Sequence, residues 1–455
     1  MARVWSDTAI LDLDSFHNED RPARATRAIT LLTAYVLLLT FIPSPLVLGA
    51  LGGAGSPATL FAFTLLGWYV MLWLHPRFAL YRGRQPARLV AAFFAFVYIA
   101  AYVSSNRHTL DSTAQNGADR GMIFVTGWLA VMLLAADGIE TWDQLQVLLR
   151  RLVTCISVIA AIGITQFATG FNLATFVVIP GLTRQIAFVD LLTRDGINRP
   201  SATTAHPLEF AAVLGLALPL ALHQARFARP GTRFRRWLQV ALIATALPLT
   251  VSRSVVLGLV IIACVLMPTW PARQLRIAYP ALAGGLITLW VVEPRLIRLI
   301  YQLFSQTGSE SSSVSRLDAY SAAGPFIAQH PWLGQGFGTF LPQTYFFVDD
   351  QYLTTLIETG VLGLIAVLML FLVGWCLARS TRRICVDQQT RDLLQCLAVS
   401  ALCTALSFST FDALGYSTIS GLTFLLIGCA AAAWRLARTG ALIEPCWWTT
   451  DDWRR

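Results

Sequence analysis

The 455-residue chain contains no lysine, so its 34 basic residues are all arginine. It is also poor in charge, with Asp, Glu, Lys and Arg together making up 13% of residues. A soluble globular domain carries about 25%, so this composition excludes one. The eight cysteines include no Cys-x-x-Cys pair, which argues against a zinc or redox site. Strict polar/apolar alternation is missing from the apolar runs, which argues against a transmembrane β-barrel. No internal repeat or inverted pair of halves is visible. The only compositionally biased tract is a serine patch between Ser305 and Ser315.

What the chain has instead is length of apolar run. Hydrophobic residues make up 56% of it, mean hydropathy is +0.60, and runs of about 17–24 residues recur from Ile29 to Ala433. These features define an all-α polytopic membrane protein. Twelve spans are expected, at 28–48, 57–74, 89–105, 121–137, 147–169, 207–224, 237–250, 254–270, 277–293, 353–376, 393–410 and 416–434. They form one membrane domain over 28–438, flanked by tails at 1–27 and 439–455. The first span has no small-residue cleavage site behind it and is expected to stay as an anchor.

Arginine placement orients the domain. Most arginines fall in the segments that share a side with the two termini. The opposite segments hold only Arg107, Arg120, Arg184, Arg194, Arg199, Arg253, Arg295, Arg298 and Arg316. The positive-inside tendency then makes both termini cytoplasmic. The net charge of +9 and pI near 9.4 are explained by cytoplasmic loops facing anionic headgroups, with no call for nucleic acid. No cysteine falls in an outer segment, so no structural disulfide is expected.

The outer arginines run against that tendency, and three sit in compact motifs: Asn198-Arg199-Pro200, Val251-Ser252-Arg253 and Ser315-Arg316-Leu317. An arginine at bilayer depth costs roughly 2.5–3.5 kcal/mol. A phosphate about 4 Å away returns ~4 kcal/mol at an effective dielectric near 20. The guanidinium also matches phosphate geometry with two parallel bonds. Arg199, Arg253 and Arg316 are therefore candidates to hold an anion, with His206 at the lip of the sixth span beside Arg199. For Arg253 the alternative is snorkelling to headgroups; for His206 it is capping the helix that Pro207 opens.

Two outer loops are long, 170–206 and 294–352. Long loops of this kind are uncommon unless functional. The second suggests a short helix opened by Ser315, with Asp318 three residues on, and kinked or ended at Gly324-Pro325. It then carries Gly334, Gly336 and Gly338 in Gly-Gln-Gly-Phe-Gly. These residues either shape tight turns or let backbone amides approach an anion. The loop closes on Asp349-Asp350, with Glu358 inside the following helix. Buried carboxylates suit general-base work, although Asp349 and Asp350 equally suit an N-cap.

Four motifs occur in order: Arg-x-x-x-Thr-x-x-His-Pro from Arg199, Ser-Arg-x-x-x-Leu-Gly from Ser252, Ser-Arg then His-Pro-x-x-Gly-x-Gly from Ser315, and Asp-Asp-Gln-Tyr-Leu-x-x-x-x-Glu-x-Gly from Asp349. Together, over roughly 195–365, they resemble the O-antigen ligase and polymerase superfamily of bacterial membrane glycosyltransferases. The resemblance implies a GT-C-like helical fold and inverting, metal-independent glycosyl transfer without a cofactor. It also implies a donor glycan on undecaprenyl diphosphate, used at the outer face of the cytoplasmic membrane. Arg199, Arg253 and Arg316 would hold the diphosphate. The ligase branch carries a His-Asn-x-Tyr-Leu-like motif where this chain has Asp349 and Asp350. That departure favours the polymerase or exopolysaccharide branch, with Asp349 as base and Glu358 or His330 as substitutes. The partners implied are a glycan or lipid acceptor, membrane lipids and a chain-length regulator. A ligase that moves a finished glycan is the alternative enzyme. A lipid-linked sugar flippase is the alternative of another class, disfavoured because polar residues gather at one face and not at mid-span.

Overall fold

The computed structural model describes residues 25–74, 80–107, 111–184, 191–305 and 311–439. Most of both expected tails therefore lies outside the described residues. Fourteen α-helices account for most of the described chain. They are α1 (Ala25–Phe41), α2 (Pro57–Leu74), α3 (Pro86–Ser105), α4 (Ser112–Gly138), α5 (Trp142–Thr169), α6 (Pro207–Arg226) and α7 (Arg233–Leu249). Then follow α8 (Arg253–Leu266), α9 (Ala272–Val292), α10 (Pro294–Ser305), α11 (Ser311–Gln329), α12 (Gln351–Ile384), α13 (Gln388–Phe408) and α14 (Ser417–Arg438).

Each expected apolar run falls on a helix. Among the described residues, eight helices are long and apolar enough to cross a membrane: α2 to α6 and α12 to α14. Apolar helices at Ala28–Phe41 and Arg253–Thr269 are shorter. The bundle is built around α14, whose apolar window is buried throughout. Small residues make that possible. Gly421 faces the Tyr35 hydroxyl and Gly428 the Met132 carbonyl so closely that a Cβ at either would collide. With apolar tails outside the bundle as greasy as its core, close backbone approach is what holds membrane helices together. At the other extreme, α9 leaves Ile277, Leu282, Leu286, Ile287, Trp290 and Val291 exposed.

The helical reading needs one addition. Two short antiparallel ribbons stand between helices: β1 (Leu46–Val47) with β2 (Thr183–Arg184), and β3 (Leu192–Arg194) with β4 (Ile197–Arg199). Asp195-Gly196 closes the second, with φ of +49° and +76°. Asp-Gly is the pair that a two-residue turn of this twist requires.

The helix expected from Ser315 also differs. It begins at Ser311 and runs to Gln329, straight through Gly324-Pro325. Proline removes one internal hydrogen bond there, but the carbonyl it orphans belongs to exposed Ser321, where solvent can replace it.

The most consequential departure lies in α12, which is two helices joined at Gly360 (φ +63°, ψ −164°). Tyr352 and Phe371 flank that joint, and both rings meet Phe408, at 6.4 Å and 4.9 Å between centroids. Nineteen residues of straight helix would span about 28 Å. The first half, 351–359, is therefore folded back against the C-terminal end of α13. There the Tyr352 hydroxyl donates to the Ala405 carbonyl at 2.7 Å.

Candidate active site

A glycine strap holds the α12 break open. The Gln335 and Gly336 amides donate to the carbonyls of Ile357 and Glu358 at 3.0 and 2.8 Å. The Gly338 and Phe340 amides donate to Glu358 Oε1 at 3.0 and 3.3 Å. On the other side of the break, the Val361 amide donates to the Pro331 carbonyl at 2.9 Å. Gly334, Gly336 and Gly338 have φ of +65°, +116° and +79°. A Cβ at Gly334 would overlap the Glu358 backbone, and one at Gly338 the Gly117 carbonyl. These glycines shape the loop, and the Gly336 and Gly338 amides are used on α12. Glu358, buried, spends its carboxylate on the strap. His330 stands half-buried where α11 gives way to the strap, its carbonyl accepting from the Gly334 amide.

Below the strap, the first half of α12 starts at Asp350. This buried carboxylate accepts from the Tyr352 and Leu353 amides at 2.8 and 3.3 Å and from the Tyr320 hydroxyl of α11. Asp350 is thus the N-cap, one of the two roles open to it, and Asp349 is the half-buried carboxylate left beside it. Gln351 accepts the Leu414 amide at 2.6 Å and so ties the α13–α14 loop to the same spot. That loop carries Asp412, which sequence reasoning missed because it lies in an apolar stretch with no motif around it. Burial, and then the nearby charge of Asp349, push the Asp412 carboxyl up to about 7.

The arginines come from the other side. Arg199 ends β4, and its Nε donates to the Thr250 carbonyl at 2.9 Å, three residues from Arg253 at the start of α8. The turn between them is tight, with buried Val251 at φ +50°. Burial, and then Arg194 on the paired strand, lower Arg199 to about 10. It remains a cation at neutral pH, held where an anion would stabilise it. The loop that follows is fixed by Gln166 of α5, whose Oε1 accepts the Ser201 and Ala202 amides at 3.2 and 2.7 Å. Arg316 falls in the first turns of α11, and its side chain lies outside the described residues.

His206 joins the two groups. It caps α6, its Nδ1 accepting from the Leu208 amide at 3.1 Å. Burial, then the charge of Arg199, lower it to about 4, so it is a neutral ring with its proton on Nε2. Its ring lies 6.0 Å from that of Tyr416, between α13 and α14. Tyr416 in turn lies within reach of the charges of Glu209, Asp412 and Asp349. Glu209, another residue that sequence reasoning missed, is buried. It binds the α14 N-terminus to α6 by accepting the Thr418, Ile419 and Ala205 amides at 2.8, 3.3 and 2.8 Å.

A second polar cluster stands apart from this end of the bundle. His223 Nδ1 and Asp392 Oδ2 lie 2.8 Å apart with Cys396 near them, and among the described residues this is the one group whose atoms could jointly hold a metal. Arg226 already neutralises Asp392 there. The seven described cysteines are all free thiols, and Cys446 lies outside the described residues.

Arg199 and Arg253, the neutral ring of His206 and the carboxylates of Asp349 and Asp412 thus stand at one end of an apolar helical bundle. Residues 238–368 match the family model described as O-antigen ligase. This stretch carries Arg253, the strap, Asp349 and Glu358, and it supports placing the chain in the O-antigen ligase and polymerase superfamily. The match supports a membrane enzyme of the ligase or polymerase type. No curated protein matches the chain.

Proposed function

We propose that this protein is a polysaccharide polymerase of the bacterial cytoplasmic membrane. It transfers a glycan from an undecaprenyl-diphosphate donor to the end of another lipid-linked repeat, at the outer face and with inversion. The observation that carries the reading is the Arg199–Thr250 bond, which ties β4 to the turn before Arg253, within one chain of neighbours that reaches Asp349 and Asp412. A glycosyl diphosphate brings its own leaving group. The site must neutralise the departing diphosphate and draw the proton from the acceptor hydroxyl. The arginines serve the first need without a metal ion, and Asp349 serves the second. Asp350 and Glu358 hold the backbone that presents it. The twelve-span, GT-C-like arrangement with cytoplasmic termini is part of the same reading, supported by the arginine distribution.

The decisive experiment is reconstitution. Purified protein in lipid vesicles receives lipid-linked oligosaccharide extracted from the source strain and no other acceptor. A ladder of repeats on gels and in mass spectra is expected, and Asp349→Ala should abolish it. Transfer only after a separate acceptor is added would mean a ligase. Failure under both conditions would favour a flippase.

The pH profile of that reaction should carry the Asp412 proton. Its carboxyl is protonated below about 7 and ionised above, so the transfer rate should climb as pH rises through 7. Asp412→Asn, a mimic of the protonated form, should be slow and nearly flat between pH 6 and 8. Stability runs the other way. A raised carboxyl contributes stability that is present at low pH and lost as pH rises through the folded value. A wild-type limb that tracks stability, or one that survives in Asp412→Asn, would exclude Asp412 from the reaction.

A further inference from the structure

Side chains along residues 346–350, the segment that delivers Asp349, alternate. Phe346 is half-buried, Phe347 is 69% exposed, Val348 is buried, Asp349 is half-buried and Asp350 is buried. Phe346 and Val348 pack into a small core with Ala323, Phe340, Leu353 and Ile357. Asp350 is fixed as the cap of α12. The backbone at Asp350 is extended, with φ −155° and ψ 113°. In an extended chain, residues two apart share a face. With Phe346 and Val348 packed in that core and Asp350 capping α12, Phe347 and Asp349 are the two side chains of the segment left facing away from it. Phe346 and Val348, packed inward on either side, keep Phe347 from turning in.

An exposed phenyl ring is not explained by the core, which Phe326, Phe340 and Phe346 already fill. Its neighbour on the same face is the carboxylate that draws the acceptor proton. A pyranose has one face of C–H groups and hydroxyls at its edge. Laid on an aromatic ring beside a carboxylate, it satisfies both. We propose that Phe347 is the platform on which the acceptor sugar stacks, holding the attacking hydroxyl toward Asp349. This inference rests on the proposed glycosyl transfer and adds to it the location of the acceptor's apolar face. The donor, held through its diphosphate at the arginine rim, does not need this ring.

The test compares four versions of the reconstituted enzyme: wild type, Phe347→Ala, Phe347→Leu and Phe347→Trp. Lipid-free oligosaccharide repeat, released from the source strain's lipid-linked pool by mild acid, is titrated as acceptor at fixed donor. Aromatic contacts are worth about 0.5–1.5 kcal/mol, so Phe347→Ala should raise the half-saturating acceptor concentration roughly 3- to 10-fold. Donor half-saturation should stay unchanged. Phe347→Leu should behave like Ala, and Phe347→Trp like wild type. The indole emission of Phe347→Trp, measured as a difference from wild type, should shift when the oligosaccharide is added. Full function in Phe347→Leu would overturn the proposal by making the ring a membrane-interface contact. So would an unchanged acceptor requirement in Phe347→Ala, or an emission that ignores the sugar. Absence of the lipid-linked ladder in wild type itself would instead refute the underlying reading, which keeps the two failures apart.

Discussion

Arg253→Lys is expected to lose at least ~100-fold in glycan transfer while the protein remains inserted and melts as wild type does. Removing one preorganised donor from a developing anion costs 10²–10³ in rate. Lysine keeps the charge but not the planar fork that meets two phosphate oxygens at once. The geometry leaves little slack for compensation. Arg253 opens α8, directly after a buried turn whose Val251 already has positive φ, and Arg199 is tied to the Thr250 carbonyl of that turn. A lysine ammonium at 253 would approach the diphosphate as a mobile point charge. Arg199→Lys should lose activity too, and should also loosen the turn, because it would lose the Nε donor. The measurement is initial rate on the purified proteins in lipid, with thermal melting as control. Full activity of Arg253→Lys would remove Arg253 from the leaving-group site.

The largest structural effect is expected from a single methyl group at Gly360. Its backbone lies at φ +63° and ψ −164°, a conformation reserved for glycine. A Cβ there would stand 2.4 Å from the Trp332 carbonyl carbon, a backbone atom that cannot swing aside. Gly360→Ala should therefore cost more than about 3 kcal/mol, from dihedral strain and overpacking together. It should straighten α12 or expel the strap, and either outcome displaces Asp349. Melting of the detergent-purified variant should fall well below wild type and transfer should vanish. Gly258→Ala makes the control, since a Cβ on that helical glycine meets no atom within 4 Å. A Gly360→Ala protein that melts like Gly258→Ala would contradict the bent form of α12.

How much of this could be read from the chain follows from the range of the forces involved. Apolar run length is a local property, and each run became a helix. The arginine motifs are local as well, and Arg199 bonds the Thr250 carbonyl three residues before Arg253. The β3–β4 hairpin had a local signal in Asp195-Gly196 that hydropathy obscures. Other features depend on partners far away in sequence. The break at Gly360 is decided by the strap around residues 331–340, and Thr-Gly-Val by itself carries no sign of it. Glu209 resembles an ordinary first-turn acid until α14 arrives to donate its amides. Asp412 has no motif of its own and gains its character from burial and from Asp349, 63 residues earlier. The choice between cap and base at Asp349-Asp350 was open in the sequence. The structure divides the two: Asp350 caps α12, while Asp349 is left half-buried beside it.

The folded-back half of α12 has a bearing on how such an enzyme can diversify. Asp349 is gripped from below by the helix it precedes and from the side by Gln351 and the Leu414 amide. Helices α9 and α10 contribute none of these restraints. Drift, insertion or exchange within residues 272–288, short of Leu289 and Leu299 that pack on Val251, would leave Asp349 in register with the arginine turn. A lineage could therefore explore new sugars at the rim while its chemistry stayed put, with the capacity to evolve and the capacity to react assigned to separate parts of one chain.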